Sequence, residues 1–333
     1  MQSIAGATQP AGIAIAGTLT DDVGEFMRIE VAAQTDIGRR KRKNEDYYGV
    51  FREDTPGLAL FPEGALLVVA DGLGGHLGGE IASKLAVSIA KDMLKLPPPP
   101  PPVDPGDDEG FIPYIKDAIT RANENIFKTN QDLIKSDRPM GTTLLVALVT
   151  PKKVYIGNVG DTRCYHLRDG EILTKTQDHS WVDEQVQLGL MSKSEAESDS
   201  RRNIVTRSVG THPIVDIDTY TWHIVPGDML LLCTDGLVNM CKDAEIIPEF
   251  RKNDSPAEIV PRLVAMANDN GGRDNITVIV ADISPSASTV FRRRLKSFSR
   301  KRGAGILWFL LWVIWSGLCI SFGYFLAAGF GDI

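Results

Sequence analysis

Histidine and cysteine are scarce in this chain, five and four among 333 residues. Cys164, Cys233, Cys241 and Cys319 form no C-x-x-C pair and accompany no histidine cluster. That excludes the thiolate and imidazole cages of structural zinc and points to a reduced, cytosolic setting. A basic excess is missing too. The net charge of -7 leaves no basic face of the kind a phosphate backbone demands, so no nucleic-acid partner is expected. No basic start precedes the apolar residues around Ile13, which argues against a secretory signal. Residues 1–25, rich in Ala, Gly and Thr, read as a flexible N-terminal tail. No internal repeat is visible, and long hydrophobic runs are absent with one exception.

The exception is the C-terminus. From Gly303 to Gly331 no residue is charged, and the stretch ILWFLLWVIWSGLCISFGYFLAA is long enough to cross a hydrocarbon core of about 30 Å at about 1.5 Å per residue. Trp308, Trp312, Trp315 and Tyr324 include the interfacial aromatics of a span. Residues 304–328 are therefore expected to form a transmembrane helix, preceded by a basic juxtamembrane linker over 286–303 that contains FRRRLKSFSRKRG. Basic flanks stay on the cytoplasmic side. The expectation is a single-pass membrane protein whose main domain, residues 26–285, faces the cytoplasm.

Within that domain, short runs rich in β-branched and aliphatic residues, bounded by turn formers, predict strands over 65–70, 142–149, 154–159, 218–225, 229–233 and 276–281,. Thr150–Lys153 joins two of them, and Asp169-Gly170 between CYHLR and EILTK signals a tight hairpin,. Helices are predicted over 79–96, with Ile81, Leu85, Ile89 and Met93 on one stripe, and over 111–136, with Ile115, Ile119, Ala122, Ile126 and Leu133 on another,. Six prolines, Pro97–Pro102, separate the two as an extended spacer,. Hairpin strands with helices clustered in sequence argue for an α+β layered domain.

The stretch VVADGLGGHLGGE, Val68 to Glu80, looks at first like a dinucleotide loop. The fingerprint needs G-x-G-x-x-G, but Leu77 stands where the third glycine belongs and Gly78 follows one place late. Asp71 at the mouth of the loop would also repel a pyrophosphate. Asp71 suits a cation, and other acids share its setting. Asp235 follows LLLCT and precedes Gly236; Asp161 follows GNVG; Asp274 opens the strand NITVIV; Glu45 and Asp46 stand in KNEDYYG. Strands of a layered sheet aim their ends at a common edge, where buried anions repel unless a proton or a multivalent cation intervenes. Oxygen-only ligands select hard ions such as Mg²⁺ or Mn²⁺, and glycine at 72 lets a backbone carbonyl approach the ion. Paired ions of this kind serve displacement at phosphorus. The run Arg39 to Lys43 stands beside Glu45 and Asp46, placed to reach a phosphoryl group.

Together TDIGRRKRKNEDYYG, VVADGLGGHLGGEIAS, MGTTL, IGNVGDTRCYHLRDGEI, DHSWVDEQVQLGLMS, NIVTRSVG, LLLCTDGL and GGRDNITVIV resemble, in order, the type 2C family of metal-dependent serine/threonine protein phosphatases in its bacterial form. The resemblance covers about residues 29–283. It implies a four-layer α/β/β/α sandwich of two antiparallel sheets flanked by helices, with the transmembrane helix appended. It also implies two Mg²⁺ or Mn²⁺ ions, with a third weaker site, and hydrolysis of phosphoserine and phosphothreonine by metal-activated water. The expected partners are phosphorylated proteins, substrates of a serine/threonine kinase. By motif position Asp71 would bridge two ions, Glu45 and the Gly72 carbonyl would hold one, and Asp235 and Asp274 the other. Asp46 would hydrogen-bond the metal-bound water, and Asp161 would serve the third ion with Asp235. Residues 178–210 would form a mobile flap.

Two positions depart from the family. Its phosphate-binding arginine, five residues before the second acid of the E-D pair, is Lys41 here, so either Lys41 or a neighbour, Arg40 or Arg42, takes the phosphate. A histidine that some members carry two residues after the bridging aspartate is Leu73 here, leaving nearby His76 or a metal-bound water to protonate the leaving group. The other reading of the same residues is a non-catalytic phosphoprotein-binding scaffold at the membrane.

Overall fold

The computed structural model describes residues 27–52, 64–74, 78–94, 110–132, 139–252 and 254–285. Strands β1 (Met27–Asp36), β2 (Tyr47–Arg52), β3 (Ala65–Ala70) and β4 (Gly72–Leu73) lead into helices α1 (Gly78–Met93) and α2 (Ile112–Asp132). Five strands follow: β5 (Gly141–Thr142), β6 (Leu144–Val149), β7 (Lys153–Val159), β8 (Arg163–Arg168) and β9 (Glu171–Lys175). Helices α3 (Trp181–Gln187) and α4 (Lys193–Ser198) precede β10 (Asp218–His223) and β11 (Asp228–Cys233). The chain closes with α5 (Asp235–Val238), α6 (Asp243–Ile246), a 3-10 turn (Ile247–Arg251), α7 (Pro256–Asp269) and β12 (Ile276–Pro285).

Two five-stranded antiparallel sheets result, in the orders β1-β12-β11-β8-β9 and β10-β7-β6-β3-β2, with β4 and β5 as a small extra pair. The side chains show why the strands read as unbroken apolar runs rather than alternating ones. In β3, Leu66, Val68 and Ala70 join a core with α1 and α2, while Ala65, Leu67 and Val69 join a second core with the other sheet. In β12, Ile279, Ala281 and Ile283 face that second core, and Ile276, Val278 and Val280 face a third core with α7. A sheet covered on both faces needs apolar side chains at every position. Three cores between four layers, helix, sheet, sheet, helix, are the consequence.

The hairpins follow the turn chemistry. Thr150 N–H donates to the Lys153 carbonyl at 2.8 Å between β6 and β7. Asp169 and Gly170, with φ of 53° and 70°, make the turn between β8 and β9, matching the twist of the strands. The predicted strand over 142–149 is instead broken at Thr143, which donates its N–H to the Asp71 carbonyl at 2.8 Å and accepts the Asp71 N–H on its hydroxyl at 2.8 Å.

One expectation is corrected. Ile81 is not on the buried face of α1: it is 49% exposed, and Leu85, Ile89 and Met93 are only partly buried. The face against the sheet and α2 is Gly79, Ala82, Ser83, Ala86, Val87 and Ala90. Residues four apart overshoot a full turn at 3.6 residues per turn, so the larger side chains drift onto the flank, while small ones let the helix lie close. On α2 the expected stripe holds: Ile115, Ile119, Ala122 and Ile126 are buried. Leu133, the proline run, the N-terminal tail, His76 and the segment 304–328 lie outside the described residues. Among the described residues no helix is long and apolar enough to cross a membrane.

The packing of α1 is open to a direct test. Ala86→Leu forces extra volume into a closed face and should cost about 1–3 kcal/mol, whereas Ile81→Ser should stay within about 0.5 kcal/mol, both read from urea unfolding. Equal costs at the two positions would contradict this placement of the helix.

Candidate metal and phosphate site

Sheet register brings the acids together. Tyr47 pairs with Ala70, so Asp46 and Asp71 stand side by side beyond the ends of β2 and β3. Cys233 pairs with Val278, which sets Asp235 near Asp274 at one end of the other sheet. Leu144 pairs with Val159, and the chain leaves β7 through Gly160 to Asp161. The two sheet edges are joined by side chains: Thr234, before α5, donates its hydroxyl to Asp46 Oδ2 at 2.9 Å, and Thr143 and Thr162 share a hydrogen bond of 2.6 Å.

Asn275 fixes the loop that carries the acidic pair. Its Oδ1 accepts the Glu45 N–H at 2.8 Å, and its Nδ2 donates to the carbonyls of Ile37 and Lys43 at 3.0 and 2.9 Å. Gly72 is required by contact: a Cβ there would fall 2.4 Å from the Gly79 carbonyl oxygen and 2.6 Å from that of Glu45. Glu45 Oε2 in turn lies 2.9 Å from where a Cβ on Gly79 would stand. The Glu45 carboxylate and the Gly72 backbone therefore share one small space.

The electrostatics are those of anions pressed together. Burial first, then the charges of Asp46, Asp235, Asp161 and Asp274, push Asp71 well above the usual carboxylate range. Asp161 is pushed the same way by burial and then by Asp235 and Asp178. Burial raises Asp46 to about 7, against hydrogen bonds from Thr277 and Thr234 that lower it. Asp235 is raised to about 6 by burial and Asp274, opposed by a hydrogen bond with Asp71. Among the described residues no three Asp, Glu, His or Cys side chains close into a single cage. The carboxylates instead form a mutually repelling set spread along one edge. The fit to hard divalent ions rests on the donors themselves: all are oxygens, and Asp46 Oδ1 and Asp235 Oδ1 are buried with no hydrogen-bond partner. Buried orphan acceptors are costly, and a cation with its waters is the kind of partner that satisfies them.

Lys41 reaches into this edge, with Nζ 2.5 Å from Asp274 Oδ1. Burial works against its charge, but Asp274, Asp71 and Glu45 outweigh it and raise its pKa. Arg40 and Arg42 are exposed and have no acidic partner among the described residues. Of the three candidate cations, Lys41 is the one gathered with the carboxylates.

A family model of protein phosphatase 2C matches residues 40–277. The chain belongs to the protein phosphatase 2C family. Serine/threonine phosphatase stp of Listeria welshimeri is 34% identical over 254 residues, covering 75% of this chain and 94% of that relative. Protein phosphatase PhpP of Streptococcus pneumoniae is 32% identical over 258 residues, covering 77% and 98%. Among solved structures, the S. agalactiae serine/threonine phosphatase matches with a TM-score of 0.65 at 30% identity, over 76% of this chain and 99% of that one. The catalytic domain of the phosphatase PstP, in complex with two manganese ions, matches with a TM-score of 0.62 at 31% identity, over 78% and 100%.

Several residues of this 2C-type site escaped the sequence reading. Asn275 and Thr234 immediately flank Asp274 and Asp235, and Thr277 stands three residues after Asp274; nearness to an Asp was the only signal they carried. His179 is another. Its Nδ1 accepts the Gly160 N–H at 3.0 Å, and its Nε2 faces Asp218 at 3.2 Å, so the segment 178–210 is tied to the loop that carries Asp161. Beside it, Arg163 Nε contacts both Asp178 oxygens at 2.8 Å.

The raised carboxyls give a pH signature in chelator. A folded-state pKa above the unfolded value means the native state binds more protons, so this contribution is full below the unfolded value of about 4 and is lost as pH rises through about 6 for Asp235 and 7 for Asp46,. With EDTA present, Tm should fall between pH 5 and 8, and Mn²⁺ should remove most of that fall. A metal-free Tm that rises over this window would contradict the assignment.

Proposed function

We propose that this phosphatase hydrolyses phosphoserine and phosphothreonine in proteins at the edge lined by Asp71 and Asp235, with Mg²⁺ or Mn²⁺, and that its C-terminal apolar segment holds it at the cytoplasmic face of a membrane. The single observation that carries the chemistry is the gathering of motif acids from both sheets around two orphaned, buried carboxylate oxygens. Asp71, Glu45, the Gly72 carbonyl, Asp235 and Asp274 would hold two such ions. Asp161, repelled by Asp235, is suited to a third. When bound, such ions supply a water of lowered pKa and positive charge against the phosphoryl oxygens.

The chain's own groups do the rest. Asp46, held by Thr234 and Thr277, keeps one oxygen free to accept a hydrogen bond from the attacking water. Lys41 binds phosphate as a point charge without the fork of an arginine. The fixed loop beneath Asn275 orients both. Membrane attachment is supported by the charge-free run from Gly303 to Gly331 and the basic stretch before it,.

Purified protein should release phosphate from a phosphothreonine peptide with Mn²⁺ and lose that activity in EDTA. Asp235→Ala should cost at least the roughly 10–100-fold that follows loss of a ligand's outer partner. Lys41→Ala should raise KM roughly tenfold, the scale of one charge-assisted contact. Turnover unchanged by EDTA and by Asp235→Ala would refute the chemistry. The full chain should stay with membranes through alkaline carbonate washing while residues 1–295 do not; release of the full chain would refute the anchor.

A further inference from the structure

The hydrogen bonds around Asp46 run in one direction. Its N–H donates to Asn44 Oδ1 at 3.1 Å, which fixes the orientation of that amide. Asn44 Nδ2 then donates to Thr35 Oγ1 at 2.7 Å. Thr35 and Thr277 are directly opposite in the β1–β12 ladder, with hydroxyls 2.8 Å apart. Thr277 gives its proton to Asp46 Oδ2 at 2.6 Å. A hydroxyl has one proton to give, and that of Thr277 is spent on Asp46, so Thr277 accepts from Thr35. Thr234 completes the set: its Oγ1 accepts the Thr277 N–H at 3.0 Å and donates to the same Oδ2 at 2.9 Å.

Two hydroxyls therefore converge on one oxygen, and the other is left bare. Thr234 and Thr277 are fully buried, so neither hydroxyl is exchanged for solvent. Asp46 Oδ1 is buried and without a partner. Threonines that only filled core space would not both aim at one atom, nor would a cross-strand pair feed one of them from Asn44.

We propose that Thr277 and Thr234, with Thr35 acting through Thr277, are positioning residues: they pin Asp46 by Oδ2 and so keep Oδ1 free for the attacking water. The inference rests on the phosphatase reading above and adds to it three residues that touch neither ion nor substrate. Asn44 closes the circuit, since the residue that starts the relay also holds the Asp46 backbone.

The full chain with Mn²⁺ and a phosphothreonine peptide tests this. Thr277→Val should lower kcat about tenfold, the scale of a lost hydrogen bond to a charged group, with KM within about twofold. Thr277→Ser keeps the hydroxyl and should recover most of the loss. Thr35→Val should lower kcat less, and adding it to Thr277→Val should slow the enzyme no further, because its effect passes through Thr277. A serine variant as slow as the valine one, or losses at 35 and 277 that multiply, overturns the proposal. A crystal structure of Thr277→Val should show the Asp46 carboxylate turned from its place; an unmoved carboxylate overturns the proposal whatever the activity. Should the unaltered protein release no phosphate, the phosphatase reading fails, and the crystal comparison alone decides the positioning.

Discussion

Carboxylates crowded at one desolvated edge repel one another, and the rest of the site is arranged to hold them there. Burial pushes Asp71 and Asp161 up, and the neighbouring carboxylates add to it. Left alone, such groups would be relieved by protonation or by moving apart. Moving apart is blocked because each acid follows or precedes a strand whose register is fixed by core packing on both faces,. What remains is a proton or a divalent cation. The function and the fold thus meet in one constraint: a stiff double sheet keeps apart from water, and close to each other, charges that would otherwise separate.

The framework depends on the middle core. Asp71 belongs to one sheet and Asp235 to the other, so the space between them is set by how Leu67, Val69, Leu145, Leu230, Leu232 and Ile279 interdigitate. Close packing transmits strain rather than absorbing it, so volume changes far from any acid act on the separation of the acids. The threonines at the mouth of this core, Thr143, Thr162, Thr234 and Thr277, are fully buried. Each gives its hydroxyl to a hydrogen bond that joins the edge segments.

How far the sequence reached depends on the range of each interaction. The run ALLVVA in β3 was legible because burial on both faces leaves a continuous apolar signature, and Asp169-Gly170 because a tight turn imposes left-handed backbone on two residues. The acids were legible because each stands at a strand end. The inner face of α1 was not, since alanine and serine at Ala82, Ser83, Ala86 and Ala90 carry less apolar weight than Ile81, though proximity to the sheet is what they provide. Nor were Asn275 and the threonines. The bond from Thr234 to Asp46 spans 188 positions in the chain, and that from Thr277 spans 231. No local period records a pairing of that range.

Lys41 is one of the two positions at which the motifs depart from the family they resemble, and the structure shows how the loop that carries it is held. An arginine brings its own fork, fixing direction by side-chain geometry. Here direction comes from the backbone: Asn275 holds the carbonyls of Ile37 and Lys43, and Arg39 N–H donates to the Gly272 carbonyl at 2.7 Å. A pinned loop fixes where the Lys41 backbone stands and so limits what its flexible side chain can reach. The pair Lys41 makes with Asp274 has both partners more than a third exposed, and pairs of that kind are worth only about 0–1 kcal/mol. On the proposed reading, a phosphate dianion that drew Lys41 away would give up little, and it would leave the Asp274 oxygen free to serve a cation instead.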